Sequence, residues 1–216
     1  MSQLCNELHQ FVNDLPRYKF PFDERRIPYN GIYILFERGE FGHGVDRVVR
    51  VGTHTGENQL RSRLSQHFII ENKDRSIFRK NIGRSILAKF GDQFLQQWNL
   101  DLTKRQEREK YQNIVDFDKQ KQVEKQVSEY IQKHFSFVVL LVSEKSKRLA
   151  LESKLISTVS LCDECHPSST WLGLYSPVPK IRESGLWLVN HLYREPLSNN
   201  DFQALKELIS QQADSN

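Results

Sequence analysis

The sequence predicts an α+β fold in which a few short strands are set among helices. Three observations carry that prediction. Runs rich in Ile, Tyr, Phe and Val at 31–37, 47–51 and 137–142 have strand composition. Glycines at 39, 42 and 44 lie between the first two runs and predict an antiparallel hairpin. The segments around these runs repeat their apolar residues at helical spacing.

Along the chain, Leu4, Leu8, Phe11, Val12 and Leu15 recur with helical period until Pro16 stops them, which predicts an amphipathic helix. Residues 18–30 hold Pro21 and Pro28 and read as a connector. The hairpin follows, with residues 38–46 as its loop. Its glycines form no nucleotide-binding fingerprint, because no helix opens directly after the first strand. A helix is expected over about 59–69. Ser76 is placed to cap the next one, whose stripe of Phe78, Ile82, Ile86 and Phe90 runs up to Gly91. Arg79, Lys80 and Arg84 lie off that stripe and are expected to face solvent or phosphate.

Residues 92–133 are polar and only patchily periodic, at Val123, Val127, Tyr130 and Ile131, which predicts one or two exposed helices inserted into the core. The continuous apolar run 137–142 reads as a strand buried on both faces. A helix over 146–160 comes next, then an irregular stretch at 162–183 with three prolines. Residues 186–193 fit strand or helix, and Ser198 caps a last helix through Phe202, Leu205, Leu208 and Ile209.

The chain has 216 residues, 38% of them hydrophobic and 27% charged, which is enough for one domain with its own core and a soluble surface. The expected division is a helix and connector at 1–30, a core at 31–160 with its insertion at about 92–133, and an extension at 161–216. No run is long and apolar enough to span a membrane, and the first residues have no signal-peptide pattern, so a cytoplasmic protein is expected. Three cysteines, an odd number, argue against a disulfide framework. Cys162-x-x-Cys165-His166 offers half of a zinc site or a haem-attachment pattern, and a loop that happens to hold thiols is the simpler reading. The net charge is +4, yet from Arg47 to Arg84 nine basic residues face three acidic ones, a local +6. Such a concentration is the electrostatic footprint of a nucleic-acid protein.

Strand alternation puts Tyr33 on the face opposite Ile32 and Ile34. On the helix at 59–69, Leu60, Leu64 and Phe68 form one stripe. Arg63 and His67 lie about 60° round from it and one turn apart, flanking the buried face. Arg61 is about 200° from Arg63 and cannot share its cleft. Glu152 sits between Leu149, Leu155, Ile156 and Val159, inside an apolar stripe. A carboxylate there needs a cation: either an Arg or Lys at the stripe's edge, or a hard divalent ion such as Mg²⁺ or Mn²⁺.

Gly31-Ile32-Tyr33, Arg50-Val51-Gly52, Arg63 and Glu152, in that order, resemble the GIY-YIG nuclease family. The resemblance covers roughly 31–160. It implies a three-stranded antiparallel sheet flanked by helices and a phosphodiester-cleaving site. Tyr33 matches the family's first tyrosine, Gly52 its glycine, Arg63 its helical arginine and Glu152 its metal-binding glutamate. His67 matches a histidine of the restriction-enzyme branches. The segments 167–173 and 185–192 resemble a stand-alone branch of the family.

Two positions depart from the pattern. Arg50 stands where the family's second tyrosine belongs, and a guanidinium cannot serve as a base. The family's late asparagine has only Asn190 as a distant counterpart. The resemblance thus implies a DNA endonuclease of restriction or defence type, monomer or homodimer, with RNA not excluded as substrate. One Mg²⁺ or Mn²⁺ would sit on Glu152, with Arg63 on the phosphate and Tyr33 with His67 at the water. Arg61, Arg75, Arg79, Lys80, Arg84 and Asn190 would hold nucleic acid. An inactive binding module on the same scaffold and a structure-selective repair nuclease are the alternatives.

Overall fold

The computed structural model describes residues 2–213. Its centre is an antiparallel sheet of β1 (Tyr18–Lys19), β2 (Ile32–Gly42), β3 (Val45–Gly52) and β4 (Phe135–Leu140), in the order β1-β4-β2-β3. The sheet therefore has four strands where three were expected, the addition being a two-residue pairing of Tyr18 and Lys19 with Phe137 and Ser136.

β2 lies inside the sheet, and its alternation feeds two separate cores. Ile32, Ile34 and Phe36 pack with Val138 and Leu140 of β4 beneath α1 (Ser2–Asn13), α7 (Lys145–Ser160) and α9 (Asn199–Ala213). Tyr33 and Leu35 pack with Phe137 on the other face, against α2 (Leu60–Phe68), α3 (Ile77–Lys89) and α6 (Phe117–His134). Each face is covered by helices, which is why residues 32–36 of β2 and 137–140 of β4 are continuous apolar runs.

The hairpin is tighter than its glycines predict. β2 continues to Gly42, which pairs with Val45, so the turn is only His43-Gly44. Both turn residues have positive φ, 55° and 80°, the pairing that a two-residue turn between twisted strands requires. Gly39, at φ 91°, lies where the β2–β3 register shifts and absorbs a bulge.

Ser76 caps α3, its Oγ accepting from Arg79 N at 3.2 Å. The buried face of α3 is not the expected one. Phe78 and Ile82 are inside, but Phe90 is 78% exposed, and Arg79 and Lys80 are buried in place of the stripe's end. The reason is α6, whose Val123, Val127 and Ile131 join the second core and whose Glu124 pairs with Arg79 at 2.8 Å. The expected insertion thus contributes core. Of its other two helices, α4 (Leu95–Trp98) buries Trp98, and α5 (Arg105–Tyr111) buries nothing.

β4 begins two residues earlier than the apolar run suggests, directly at the end of α6. The segment 186–193 forms neither strand nor helix. It follows α8 (Pro179–Ser184), which ends at Gly185 with φ 67°, and Trp187 N donates to Val49 O at 2.8 Å on the free edge of β3. Trp171 and Trp187 both donate their indole N–H to one buried carboxylate, Glu37 of β2, at 2.8 and 2.7 Å. Tyr130 OH completes its set. A single glutamate thereby ties the C-terminal segment to the sheet. Ser198 Oγ accepts from Asp201 N at 3.1 Å and caps α9 as expected. No helix among the described residues is long and apolar enough to cross a membrane.

Candidate active site

Tyr33 and Gly52 are direct cross-strand partners at one end of the hairpin. The tyrosine ring lies flat over the glycine: a Cβ on residue 52 would meet the Tyr33 hydroxyl at 2.3 Å, so only glycine permits this contact. The phenol oxygen is 2.8 Å from His67 Nε2, and His67 Nδ1 is 2.7 Å from Ser76 Oγ. Tyr33, His67 and the cap of α3 therefore form one chain of hydrogen bonds, with Tyr33 1% and His67 0% exposed. Burial, and then the charges of Arg50, Arg63 and Arg79, hold the His67 pKa well below the usual histidine range. His67 is a neutral hydrogen-bonding partner for the phenol.

One residue beyond Gly52 the backbone turns, and Thr53 N donates to Glu152 Oε1 at 3.0 Å. Among the described residues Glu152 forms no ion pair. The nearby guanidinium charges of Arg50, Arg63 and Arg148 only partly offset the burial that raises its pKa. A half-buried carboxylate fixed by one amide and lacking a paired cation has the chemistry of a hard divalent-ion ligand, which needs one or two carboxylates beside water and phosphate oxygens. The residues present fit such an ion.

Arg63 occupies the same neighbourhood, one helical turn before His67. Its guanidinium donates to Gln66 Oε1 at 3.3 Å and to Arg75 O at 3.2 Å, while its Nε is buried without a partner. Arg63 lines a cleft of about 270 Å³ with Thr53, His54, Thr55, Gln59, Ser62 and Gln66. Arg50 reaches toward the Phe78 ring, donates to Trp187 O, and also leaves a buried Nε unpartnered. Buried guanidinium N–H groups without acceptors are rare, and here three of them, the Nε groups of Arg50, Arg63 and Arg148, belong to arginines whose charges act on Glu152.

A scan against protein-family descriptions matches residues 1–215 to the GIY-YIG domain. The chain belongs to the GIY-YIG family. No curated protein and no solved structure matches it. The family is a nuclease family, and Tyr33, Gly52, Arg63 and Glu152, the residues on which the sequence resemblance rests, lie close together at one end of the sheet.

The expected basic surface is corrected in part. Arg79 is bound to Glu124 and Ser128 and is 0% exposed, and Lys80 shares Asp74 with Lys73. Arg47 is buried against Glu40 at 2.7 Å. The half-buried Arg84 donates to Asn99 and Asn81, and Arg61 donates to Ile27 O at 2.6 Å beneath Tyr29. Much of the local charge is thus spent inside the protein, on Asp74 within the basic stretch and on Glu40 and Glu124 outside it. Arg75 is exposed. Asn190 is exposed on the irregular segment after Trp187 and does not line the cleft.

Sequence reasoning missed His54, which is 5% exposed and lines the cleft. Its Nδ1 lies 2.6 Å from Gly56 O, a carbonyl that can only accept, so Nδ1 carries the proton and Nε2 keeps its lone pair. That Nε2 is buried with no partner. Burial first, and Arg148 as well, lower its pKa against the opposing Gly56 contact. The signal was its place two residues after the motif glycine.

Proposed function

We propose that this protein is a metal-dependent DNA endonuclease of restriction or defence type. The observation that carries the reading is Glu152, unpaired among the described residues and held by the amide of cleft-lining Thr53, close to the charge of Arg63, which lines the same cleft and leaves its Nε unpartnered. Phosphodiester hydrolysis requires charge stabilisation at the phosphoryl oxygens and an activated water.

Arg63 donates to a non-bridging oxygen as negative charge builds. Glu152 would hold Mg²⁺ or Mn²⁺, and that ion would supply charge neutralisation at the scissile phosphate and the leaving oxygen. Tyr33, fixed by His67 and Ser76, orients the water side of the cleft. His54 Nε2 accepts the proton of the attacking water, because its lone pair is the free base in the cleft. Arg50 supports Glu152 through space and anchors Trp187, which suits a cation at the second-tyrosine position. Arg61 and Arg75 flank the cleft toward the nucleic-acid backbone.

One observation favours a rival. Arg50 is turned to the Trp187 carbonyl and offers no titratable group, so the scaffold also suits an inactive nucleic-acid-binding module. Incubation with supercoiled plasmid and Mg²⁺ or Mn²⁺ separates the two. An endonuclease nicks or linearises it, and discrete fragments mark sequence recognition. A structure-selective repair enzyme cuts forks or flaps and leaves plain duplex intact. A binding module shifts DNA in a gel without cutting any of these.

A further inference from the structure

Three cysteines and two histidines meet at the end of the hairpin remote from Tyr33. Cys5 comes from α1, His43 from the two-residue turn, and Cys162 and Cys165 from the irregular segment after α7. All three cysteines are free and buried. His43 stands in the left-handed region, φ 55°, with its side chain 3% exposed. A non-glycine residue at positive φ is uncommon, and here that backbone carries the imidazole into the cysteine cluster.

We propose that Cys5, His43, Cys162 and Cys165 form a structural zinc site of the Cys₃His type. Tetrahedral coordination by sulfur and imidazole places sulfurs about 3.8 Å apart and sulfur and nitrogen about 3.6 Å apart. Cys5 Sγ lies 3.6 Å from Cys165 Sγ, and Cys162 Sγ lies 3.4 Å from His43 Nε2. Cys5, His43 and Cys165 offer ligand atoms within 4.8 Å of one another, and Cys162 interacts with both other cysteines. Cys162-x-x-Cys165 has the spacing of a zinc knuckle.

His9 lies in the same cluster, but both its nitrogens serve the backbone. Nε2 accepts from Val48 N at 3.2 Å, which leaves Nδ1 as the donor to Cys5 O at 2.9 Å. His43 is arranged differently. Its Nε2 faces Cys162, and its Nδ1 lies 3.4 Å from the Glu164 carboxylate, the partner that orients a metal-bound imidazole and strengthens it as a ligand. The exposed His166 takes no part.

Four protein ligands leave no open position, so the ion is structural. It joins α1, the hairpin turn and the segment leading to Trp171, three parts of the chain that are distant in sequence. Strand rise separates His43 from Tyr33 by roughly 30 Å, so this site is independent of the nuclease reading.

The test uses the purified full-length chain. Elemental analysis should find about one zinc per chain, retained in Glu152→Gln. Cobalt(II) added to chelator-treated protein should give thiolate-to-cobalt charge transfer and the intense visible bands of tetrahedral cobalt. Cys162→Ser and Cys165→Ser should lose those bands, His9→Gln should keep them, and Glu164→Gln should weaken affinity 10–100-fold. Where a cysteine variant fails to fold, the cobalt spectrum of the unsubstituted protein decides alone. Folded protein with no zinc and no cobalt–thiolate bands overturns the proposal, as does iron in place of zinc. Metal retained by Cys162→Ser but lost by His9→Gln overturns the ligand set.

Discussion

Glu152 concentrates the chemistry of this molecule in one side chain. Burial raises its pKa, so the folded chain favours its protonated form, and at neutral pH the ionised carboxylate opposes folding wherever no cation is supplied. Glu152→Gln keeps the acceptor for Thr53 N and removes the charge. In metal-free buffer at neutral pH it should melt higher than the parent, by about 2–4 °C for each kcal/mol relieved. The difference should vanish below about pH 4, where the parent carboxyl is itself protonated. An equal or lower melting temperature at neutral pH contradicts this account of the site.

His54 is shifted in the opposite sense. Activity requires ionised Glu152, whose pKa lies above its ordinary 4.5, and neutral His54, whose pKa lies below its ordinary 6.5. Both requirements are met on raising the pH. On this reading kcat/KM should fall as the pH is lowered, and His54→Gln should cost about 10²–10⁴-fold. Wild-type kcat/KM from His54→Gln across the pH range would assign the base elsewhere.

At the scale of elements, the hairpin delivers Tyr33 to its position. Gly52→Ala places a methyl group 2.3 Å from the phenol oxygen, so the ring must swing off its partner strand and leave His67 Nε2 unsatisfied. The loss of that buried hydrogen bond costs about 1–3 kcal/mol, and cleavage should fall with it. Wild-type cleavage by Gly52→Ala would mean that the phenol does not matter.

The strand and helix positions here were legible in the sequence, because continuous apolar runs mark β2 and β4 and a period-4 stripe marks α2. The length of the hairpin was not. Gly39, Gly42 and Gly44 all suggest loop, yet one sits at a bulge, one in a strand and one in the turn. The buried face of α3 was hidden for a related reason. Arg79 and Lys80 look like surface residues until Glu124, on a helix 45 positions away in sequence, is placed beside them. The carboxylate and arginine of the cleft were readable from order and spacing. His54 was not, since only the fold shows that its Nε2 is buried and unpartnered.

At the scale of the whole molecule, buried polar groups tie helices and the C-terminal segment to the second core. Glu124 holds Arg79 between α3 and α6, and Glu37 holds both tryptophans of the C-terminal segment. Removing one partner of such a pair leaves the other charged and dry. Glu124→Ala should destabilise the protein by about 3–5 kcal/mol, read as a lower urea midpoint at unchanged slope. An unchanged midpoint would show that Arg79 finds water or another acid.

The same architecture sets the Arg63 and Glu152 end of the sheet apart from the cysteine-rich end, so the proposed cleavage and the proposed zinc site should respond to separate substitutions. The central claim, a divalent-ion endonuclease built on Glu152 and Arg63, is tested most directly by timed cleavage of supercoiled plasmid in Mg²⁺ or Mn²⁺. The unsubstituted chain, Glu152→Gln and Arg63→Ala should be run side by side. The unsubstituted chain should cut, Glu152→Gln should leave the plasmid supercoiled, and Arg63→Ala should cut about 10²–10³-fold more slowly. Intact plasmid, forks and flaps with the unsubstituted chain, or wild-type rates from either variant, would contradict the account.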